Sequence, residues 1–325
     1  MKGGAIAFVG CGRAADTHSR VLRRIARGRD LRYASSSTPR AEAAARRWGG
    51  RALAGYDEAF DAPDVEIVVV TTPPVLHAPL ALRALRAGRH VVVEKPAFLH
   101  PDEFRSVRAA AREADRRVAV AENYYYKPLR RTLTALIDQN ELGDLLLVRL
   151  NAVKRQEAGG WRDDPAVAGG GALFEGGIHW VNLITNLGLD VASVRGSRAH
   201  PESRTDDSRS AEETWSITFD FTSGAVGVLD FSWQVPTLLG GVRLSTLYGT
   251  GGTAWFESNG LVLARRTGLV RVTLPGFRDL GGFRAMWRDF LDAFAAEREP
   301  AMTLDLAERD VRLVRHLYDQ ASSAP

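Results

Sequence analysis

We expect an α/β protein in which an N-terminal, doubly wound parallel sheet is followed by a second domain built on an antiparallel sheet. Up to about residue 120, short apolar runs alternate with apolar residues at helical spacing, as in the strand–helix repeats of a parallel sheet. Farther along, apolar and polar residues alternate one by one, which is typical of strands with one buried face. A chain of 325 residues is long enough for two domains. We place their boundary near residue 122, which gives domains at 1–122 and 123–325.

The strands of the first domain are continuous apolar runs, as expected where helices cover both faces of a sheet. Gly88 follows one of the intervening helical patterns and suits the end of a helix. The predicted strands are Ala5–Val9, Leu31–Ser35, Val65–Val70, Val91–Val93 and Val118–Val120. The predicted helices begin near Ala15, Pro39 and Pro79.

The second domain combines alternating strands with two terminal helices. The segments 215–221 and 229–233 alternate apolar and polar residues, and Ser223-Gly224 between them predicts a turn. Apolar stripes at helical spacing run through 283–294 and 307–318. We therefore expect an open, predominantly antiparallel sheet with helices closing the chain.

Composition narrows the class of protein. Cys11 is the one cysteine, so an intramolecular disulfide and a Cys-based zinc site are excluded. No apolar stretch approaches the ~20 residues that span a bilayer. The net charge of +4 arises from basic residues of 1–122, which suits a phosphate-bearing ligand or, alternatively, solvated arginine-rich helices. We expect a cytoplasmic protein without nucleic-acid or membrane partners.

A glycine-rich motif joins the first strand to the first helix. Gly10-Cys11-Gly12-Arg13-Ala14-Ala15 has the G-x-G-x-x-A pattern. Gly10 permits the tight turn, Gly12 lets a pyrophosphate approach the backbone, and Ala15 permits close helix–strand packing. In a strand–helix–strand context this motif predicts a dinucleotide-binding Rossmann domain at 1–122.

The end of the second strand indicates which dinucleotide binds. An NAD site usually has Asp or Glu there, whereas this chain has Ser35-Ser36-Ser37-Thr38-Pro39-Arg40. Ser36, Ser37, Arg40 and Arg13 suit a 2′-phosphate, so we favour NADP(H) and keep NAD(H) as the alternative. The hydroxyls can also cap the following helix.

Glu94-Lys95-Pro96 follows another predicted strand, at the edge where parallel sheets bind ligands. The Lys95 amine can bind a reacting oxygen and stabilise an alkoxide. Pro96 fixes the turn in the trans or the cis form. Taken alone, the tripeptide is also compatible with a surface turn.

The chain resembles the glucose–fructose oxidoreductase/inositol dehydrogenase family. The residues that carry the resemblance follow the family's order along nearly the whole chain. They are Gly10/Gly12/Ala15, Thr72-Pro73-Pro74 to His77, Gly88–Val91 leading into Glu94–Pro96, Trp161-Arg162, Gly169–Leu173, Gly177–His179 and Gly249–Thr253.

The resemblance implies a Rossmann domain followed by an α/β domain at 123–325 that binds substrate and forms oligomers through its open sheet. It implies oxidation or reduction of a hydroxyl or ketone on a sugar, cyclitol or related molecule, with Lys95 and His179 as catalytic groups. Glu175 stands where the family has Asp, which puts the role of that position in doubt. We also assign to the cofactor site Thr72, Pro73, His77, Glu94, Lys95 and Pro96; His77 has the alternative role of a helix cap.

Glu175 and His179 are four residues apart, so on a helix they share one face. His179 can exchange the hydroxyl proton, and Glu175 can orient the imidazole or contact substrate. A buried core histidine and a metal-binding pair are the alternatives. We expect no metal, because no further ligand cluster is present.

Further substrate-binding candidates are Asn123 and Tyr124 near the domain boundary, and Trp161 and Arg162 in the glycine-rich loop 154–171. Aromatic rings here can stack on a sugar or simply pack in the core.

The resulting prediction is an NADP(H)-dependent oxidoreductase that acts on a sugar-like substrate as a homodimer or homotetramer. The alternatives are an oxidoreductase of a diol, imine or cyclic ketone, and a non-catalytic dinucleotide-binding sensor or corepressor.

Overall fold

The computed structural model describes residues 3–157, 159–199, 213–237 and 241–323. These residues form two compact units. The first contains residues up to 122 together with 283–308, and the second contains 123–282 together with residues from 309 onward.

The first sheet has six strands, all parallel, in the order β3-β2-β1-β4-β5-β6. Every residue of the central strand β1 is buried, which explains its uninterrupted apolar sequence. The predicted doubly wound parallel sheet is thereby confirmed. The strands are β1 (Ala5–Val9), β2 (Leu31–Ala34), β3 (Arg51–Ala52), β4 (Val65–Val70), β5 (His90–Val93) and β6 (Val118–Val120).

Helices alternate with these strands. The first five are α1 (Arg13–Ile25), α2 (Thr38–Trp48), α3 (Tyr56–Asp61), α4 (His77–Arg86) and α5 (Pro101–Glu113). Helix α4 begins at His77, two residues before the predicted start, because a short 3₁₀ turn over Pro74–Leu76 leads directly into it. Gly88 follows its end with φ +73°, as its position in the sequence predicted.

The second sheet has eight strands in the order β14-β13-β12-β11-β7-β10-β9-β8. All its pairings are antiparallel except β7 with β10, so the predicted antiparallel character is confirmed. Its strands are β7 (Leu145–Val153), β8 (Val191–Arg198), β9 (Thr214–Phe221), β10 (Val226–Ser232), β11 (Leu244–Gly249), β12 (Thr253–Glu257), β13 (Leu263–Arg266) and β14 (Val270–Thr273).

One face of this sheet is apolar and exposed toward its β14 edge. Trp255 of β12 pairs with Ala264 of β13, which pairs with Val272 of β14, so these side chains share that face. Trp255 and Val272 are 56% and 62% exposed. On the opposite face, Phe256 of β12 and Leu263 of β13 are buried.

The remaining helices are α6 (Pro128–Asp138), α7 (Pro165–Ala168), α8 (Ile178–Thr185), α9 (Phe283–Ala295) and α10 (Leu304–Ser323). Helix α9 packs in the first unit against α1, because its stripe of Met286, Trp287 and Phe290 is fully buried there. Part of the predicted range 123–325 therefore contributes to the core around the parallel sheet. No helix in the described ranges is both long and apolar enough for a membrane span.

Candidate functional site

The loop between β1 and α1 has the backbone that the glycine motif requires. Gly10 has φ +103°, and an added Cβ would lie 2.7 Å from the carbonyl oxygen of Thr71. Gly12 is the N-cap of α1, and an added Cβ there would meet no atom within 4 Å. Ala15 is buried. Glycine at position 10 therefore serves the turn, whereas glycine at position 12 keeps open space above the helix N-terminus.

Other residues around this loop fit a dinucleotide. The Thr72 hydroxyl, just after β4, is buried and has no hydrogen-bond partner among the described residues. Arg13 and Arg40 are exposed, and neither forms an ion pair within the described parts of the chain. Ser36 and Ser37 follow β2 without a neighbouring carboxylate. A buried hydroxyl without a partner, open space above a helix N-terminus and two exposed cations together suit a phosphate-bearing ligand.

The Glu94-Lys95-Pro96 turn follows β5, and the Lys95–Pro96 peptide bond is cis. One carboxylate oxygen of Glu94 lies 2.7 Å from Nε2 of His18, and the other accepts the Lys95 backbone N–H at 3.0 Å. Burial raises the pKa of Glu94, but the His18 hydrogen bond and the Lys95 charge outweigh burial and lower this pKa to about 2. The carboxylate is therefore charged and anchored at this turn.

His77 links two loops of the parallel sheet. Its ring is buried, with Nε2 2.9 Å from the carbonyl oxygen of Thr72 and Nδ1 2.9 Å from that of Pro96. Burial lowers the pKa of His77. Since its ring partners are carbonyl oxygens rather than helix N–H groups, the alternative of a helix cap is wrong. A neutral imidazole has one N–H donor, so His77 donates to one of these carbonyl oxygens while its ring lies between the Thr72 and Pro96 loops.

Glu175 and His179 lie on one helical segment that changes from π-helical to α-helical geometry between them. Glu175 is in a π-helical turn, Leu173–Gly177, and His179 is in α8, which follows without a break. Glu175 accepts a hydrogen bond from Arg162 Nε at 2.9 Å. The Arg162 guanidinium lies over the Trp161 ring, 4.4 Å from its centre. The Glu175 carboxylate thus binds an arginine of the glycine-rich loop, and π turns are frequent at functional sites.

His179 is half-buried and stacks on Tyr124. Their ring centres are 4.6 Å apart and the planes differ by 17°. The Lys127 ammonium lies 3.8 Å from the centre of the same tyrosine ring, and Trp180 meets it edge-on. A stack of this kind fixes the orientation of the imidazole. Tyr124 therefore contacts His179 directly, a role that sequence spacing did not indicate.

Asn123 is engaged within its own unit. Its side-chain amide donates to the carbonyl oxygen of Gly281 at 2.7 Å, and the residue is 8% exposed. This contact holds together two distant chain segments of the second unit.

Some residues of these networks were not predicted as functional. Glu213 is buried and accepts hydrogen bonds from Leu173 N–H at 3.0 Å and from the Tyr318 hydroxyl at 2.6 Å. The Glu213 carboxylate, held by Tyr318, thus binds the backbone of Leu173, the first residue of the π-helical turn. An isolated glutamate before a strand gives no sequence signal of such a role. His18, on the buried face of α1, was also not predicted as functional.

No group of three potential metal-ligating side chains occurs among the described residues.

Residues 5–122 match the model of an oxidoreductase family with an NAD-binding Rossmann fold, and residues 130–255 match the GFO/IDH/MocA C-terminal domain. Both models describe one family, and together they extend over more than half of the chain. The chain belongs to the Gfo/Idh/MocA oxidoreductase family.

Relatives of the family have been characterised on sugars. The chain is 29% identical over 187 residues to the glucose-6-phosphate 3-dehydrogenase of Bacillus subtilis (strain 168), covering 56% of this chain and 53% of that protein. It is 32% identical over 166 residues to the dTDP-3,4-didehydro-2,6-dideoxy-alpha-D-glucose 3-reductase of Streptomyces violaceoruber, covering 50% and 48%. The chain thus spans about half the length of these curated relatives.

Among solved structures, GenD2 from gentamicin A biosynthesis, in complex with NAD, is 28% identical with a TM-score of 0.84. The similarity covers 99% of this chain and 95% of that one. The fold match therefore extends through both domains of the family.

Proposed function

We propose that this Gfo/Idh/MocA protein is an NADP(H)-dependent oxidoreductase that interconverts a hydroxyl and a ketone on a sugar, cyclitol or sugar derivative. The observation that carries the proposal is the anchored Lys95 turn at the carboxyl end of β5. The Gly10 loop follows the carboxyl end of β1, so both lie at the ligand-binding edge of the same parallel sheet. The sugar-acting relatives support the substrate class.

The roles of the side chains follow from their chemistry. When bound, NADPH would supply the hydride for reduction and NADP would accept it in oxidation, at C4 of the nicotinamide ring. The Lys95 ammonium donates a hydrogen bond to the substrate oxygen and stabilises negative charge on it. His179 takes the hydroxyl proton in oxidation and returns it in reduction. Glu175 holds Arg162, and this pair orders the glycine-rich loop beside the substrate.

The cofactor assignment rests on the end of β2. Neutral hydroxyls at Ser36 and Ser37 accept a 2′-phosphate without repulsion, and Arg40 and Arg13 supply positive charge. Gly10, Gly12 and Ala15 shape the pyrophosphate site, and Thr72 offers its buried hydroxyl. We expect Arg40→Ala to weaken NADPH binding about 10-fold while NADH binding changes less than about twofold. Equal losses for both cofactors would contradict the 2′-phosphate site.

Residues 1–122 are proposed as the dinucleotide-binding domain and 123–325 as the substrate-binding and oligomerisation domain, with 283–308 of the latter range packing in the first unit. The apolar face that includes Trp255 and Val272 supports self-association as a homodimer or homotetramer. Light scattering of the wild type and of Trp255→Glu tests this assignment. A monomeric wild type would overturn it.

Activity is tested by incubating the purified protein with deuterium-labelled NADPH and a panel of keto-sugars. Consumption of the reduced nicotinamide with deuterium on the former carbonyl carbon is the expected result. A protein that binds NADPH tightly yet reduces no member of a broad ketone and imine panel, and oxidises no polyol with NADP, would favour the non-catalytic sensor.

A further inference from the structure

His18 is a completely buried histidine with a defined partner on each ring nitrogen. It lies on α1 and is 0% exposed. The indole N–H of Trp287 points to its Nδ1 at 2.9 Å, and Glu94 Oε1 lies 2.7 Å from its Nε2. Such complete satisfaction of a buried polar ring indicates a specified arrangement.

These contacts assign the proton on His18. An indole nitrogen is a donor only, so Nδ1 of His18 must be the acceptor. The imidazole therefore carries its proton on Nε2 and donates it to the Glu94 carboxylate.

The chain of hydrogen bonds continues to Lys95. Glu94 Oε2 accepts the Lys95 backbone N–H at 3.0 Å. Trp287 thus holds His18, His18 holds one oxygen of Glu94, and the other oxygen holds the backbone of Lys95. All four residues lie in the first unit, although Trp287 is 269 positions from His18 in sequence.

We propose that His18 and Trp287 are positioning residues that orient Glu94 and, through it, Lys95. This inference rests on the proposed function, in which Lys95 binds the substrate oxygen. Neither ring needs to contact substrate for this role. Each restricts the rotation of the Glu94 carboxylate. Hydrogen-bond partners behind metal ligands and catalytic groups in other proteins act in the same way.

Two substitutions of His18 separate positioning from bulk packing. Glutamine offers one amide donor and one carbonyl acceptor, so His18→Gln can keep both hydrogen bonds. Leucine fills space but leaves Glu94 Oε1 and the Trp287 N–H without a partner. We expect His18→Leu to lower kcat at least 10-fold, Trp287→Phe to have a smaller effect, and His18→Gln to stay within about threefold of wild type.

A stability control is available at His100, which caps α5 by a capping box at the surface of the same unit. His100→Leu removes this cap and lowers the melting temperature without touching the Glu94 turn. Its kcat per folded molecule should equal that of wild type. A comparable loss of kcat in His100→Leu and His18→Leu would reduce the role of His18 to stability.

The coupling to Glu94 is testable by a double-mutant cycle. If His18 acts through the carboxylate, the loss of kcat in His18→Leu/Glu94→Gln equals that of Glu94→Gln alone. Losses that multiply would contradict the proposal, since they would place the effect of His18 elsewhere.

The decisive experiment needs no turnover. The chain has four lysines, Lys2, Lys95, Lys127 and Lys154, so reductive methylation followed by peptide mass spectrometry reports each amine separately. We expect His18→Leu to change the methylation rate of Lys95 at least threefold and His18→Gln to restore it, with Lys154 constant as the internal reference. An unchanged rate at Lys95 would overturn the positioning role. A changed rate in a protein without sugar turnover would retain positioning and overturn the proposed function.

Discussion

The two proposed catalytic groups are supported in different ways. Lys95 follows a buried strand and is tied by its backbone to Glu94, whose carboxylate is held by the buried His18. His179 is a half-buried helix residue, and its ring stacks on the ring face of Tyr124. Hydrogen-bonded backbone groups define distance and direction narrowly, whereas ring stacking fixes a plane and permits sliding. The difference therefore lies in what is held: the backbone of Lys95 at a turn, and the ring plane of His179 on a helix.

The largest expected effect on activity is at Lys95. Lys95→Ala should lower kcat/KM about 10³-fold, because it removes the donor that stabilises charge on the substrate oxygen. Steady-state kinetics on the substrate found in the keto-sugar panel measure this loss. Arg86→Ala, at an exposed cation of α4, is the matched control and should retain wild-type kinetics. A Lys95→Ala enzyme within 10-fold of wild type would remove Lys95 from the chemistry.

Acid should reveal how much the buried Glu94 carboxylate contributes to the free energy of unfolding. The pKa of Glu94 is about 2 in the folded protein and 4.5 in its unperturbed state, so its charge stabilises the fold above pH 4.5. This contribution is lost as the pH falls from 4.5 through 2. Between pH 5 and 2 the free energy of unfolding of wild type should therefore fall more than that of Glu94→Gln.

Denaturant titrations at these pH values provide the measurement, and His18→Leu should show a reduced pH dependence because its carboxylate lacks the donor. Equal slopes for wild type and Glu94→Gln would mean that the carboxylate is not held in the folded state.

At the imidazole, His179→Asn should lower kcat about 10²-fold while NADPH affinity stays within about twofold. The asparagine is polar but cannot exchange a proton near neutral pH. Turnover and a fluorescence titration of the same preparation separate the two effects. A loss confined to cofactor affinity would argue that His179 contributes to binding alone.

The smallest effect concerns the stacked ring. Tyr124→Leu should lower kcat about 5- to 10-fold, since aromatic pairs contribute about 0.5–1.5 kcal/mol beyond burial. Tyr124→Phe keeps the ring and should stay within about twofold of wild type. If the phenylalanine variant were as impaired as the leucine variant, the hydroxyl rather than the ring face would be the important group.

Local sequence patterns were sufficient to predict the glycine-rich loop and the parallel sheet around it. The Gly10–Ala15 spacing and the apolar run of β1 are determined by neighbours in the chain, so the turn and the strand followed directly. The Glu94-Lys95-Pro96 turn could be located for the same reason. The Rossmann topology then places both at one edge of the sheet.

The long-range contacts that hold the proposed site residues could not be predicted from the sequence. His18 meets Glu94 across 76 positions, and no local pattern encodes such a pair. The π turn at Glu175 also lacks a signal, because the spacing to His179 fits a regular helix equally well. Tertiary packing decides both features. Tyr124 is an example: the sequence predicted that it binds substrate, and the structure shows that it also stacks on His179, the predicted proton-exchanging residue.

The central claim is that the Gly10–Ala15 loop binds a nicotinamide dinucleotide and prefers NADPH. We would titrate wild type and Gly12→Ala with NADPH and with NADH, following tryptophan fluorescence, and record the melting temperature of each protein. Since a Cβ at Gly12 meets no protein atom within 4 Å, the variant should fold normally but bind at least 10-fold more weakly. We predict that wild type binds NADPH in the micromolar range and NADH less tightly. Binding of neither dinucleotide below about millimolar concentrations, or unchanged affinity in Gly12→Ala, would contradict the claim; tighter binding of NADH would overturn the NADPH preference.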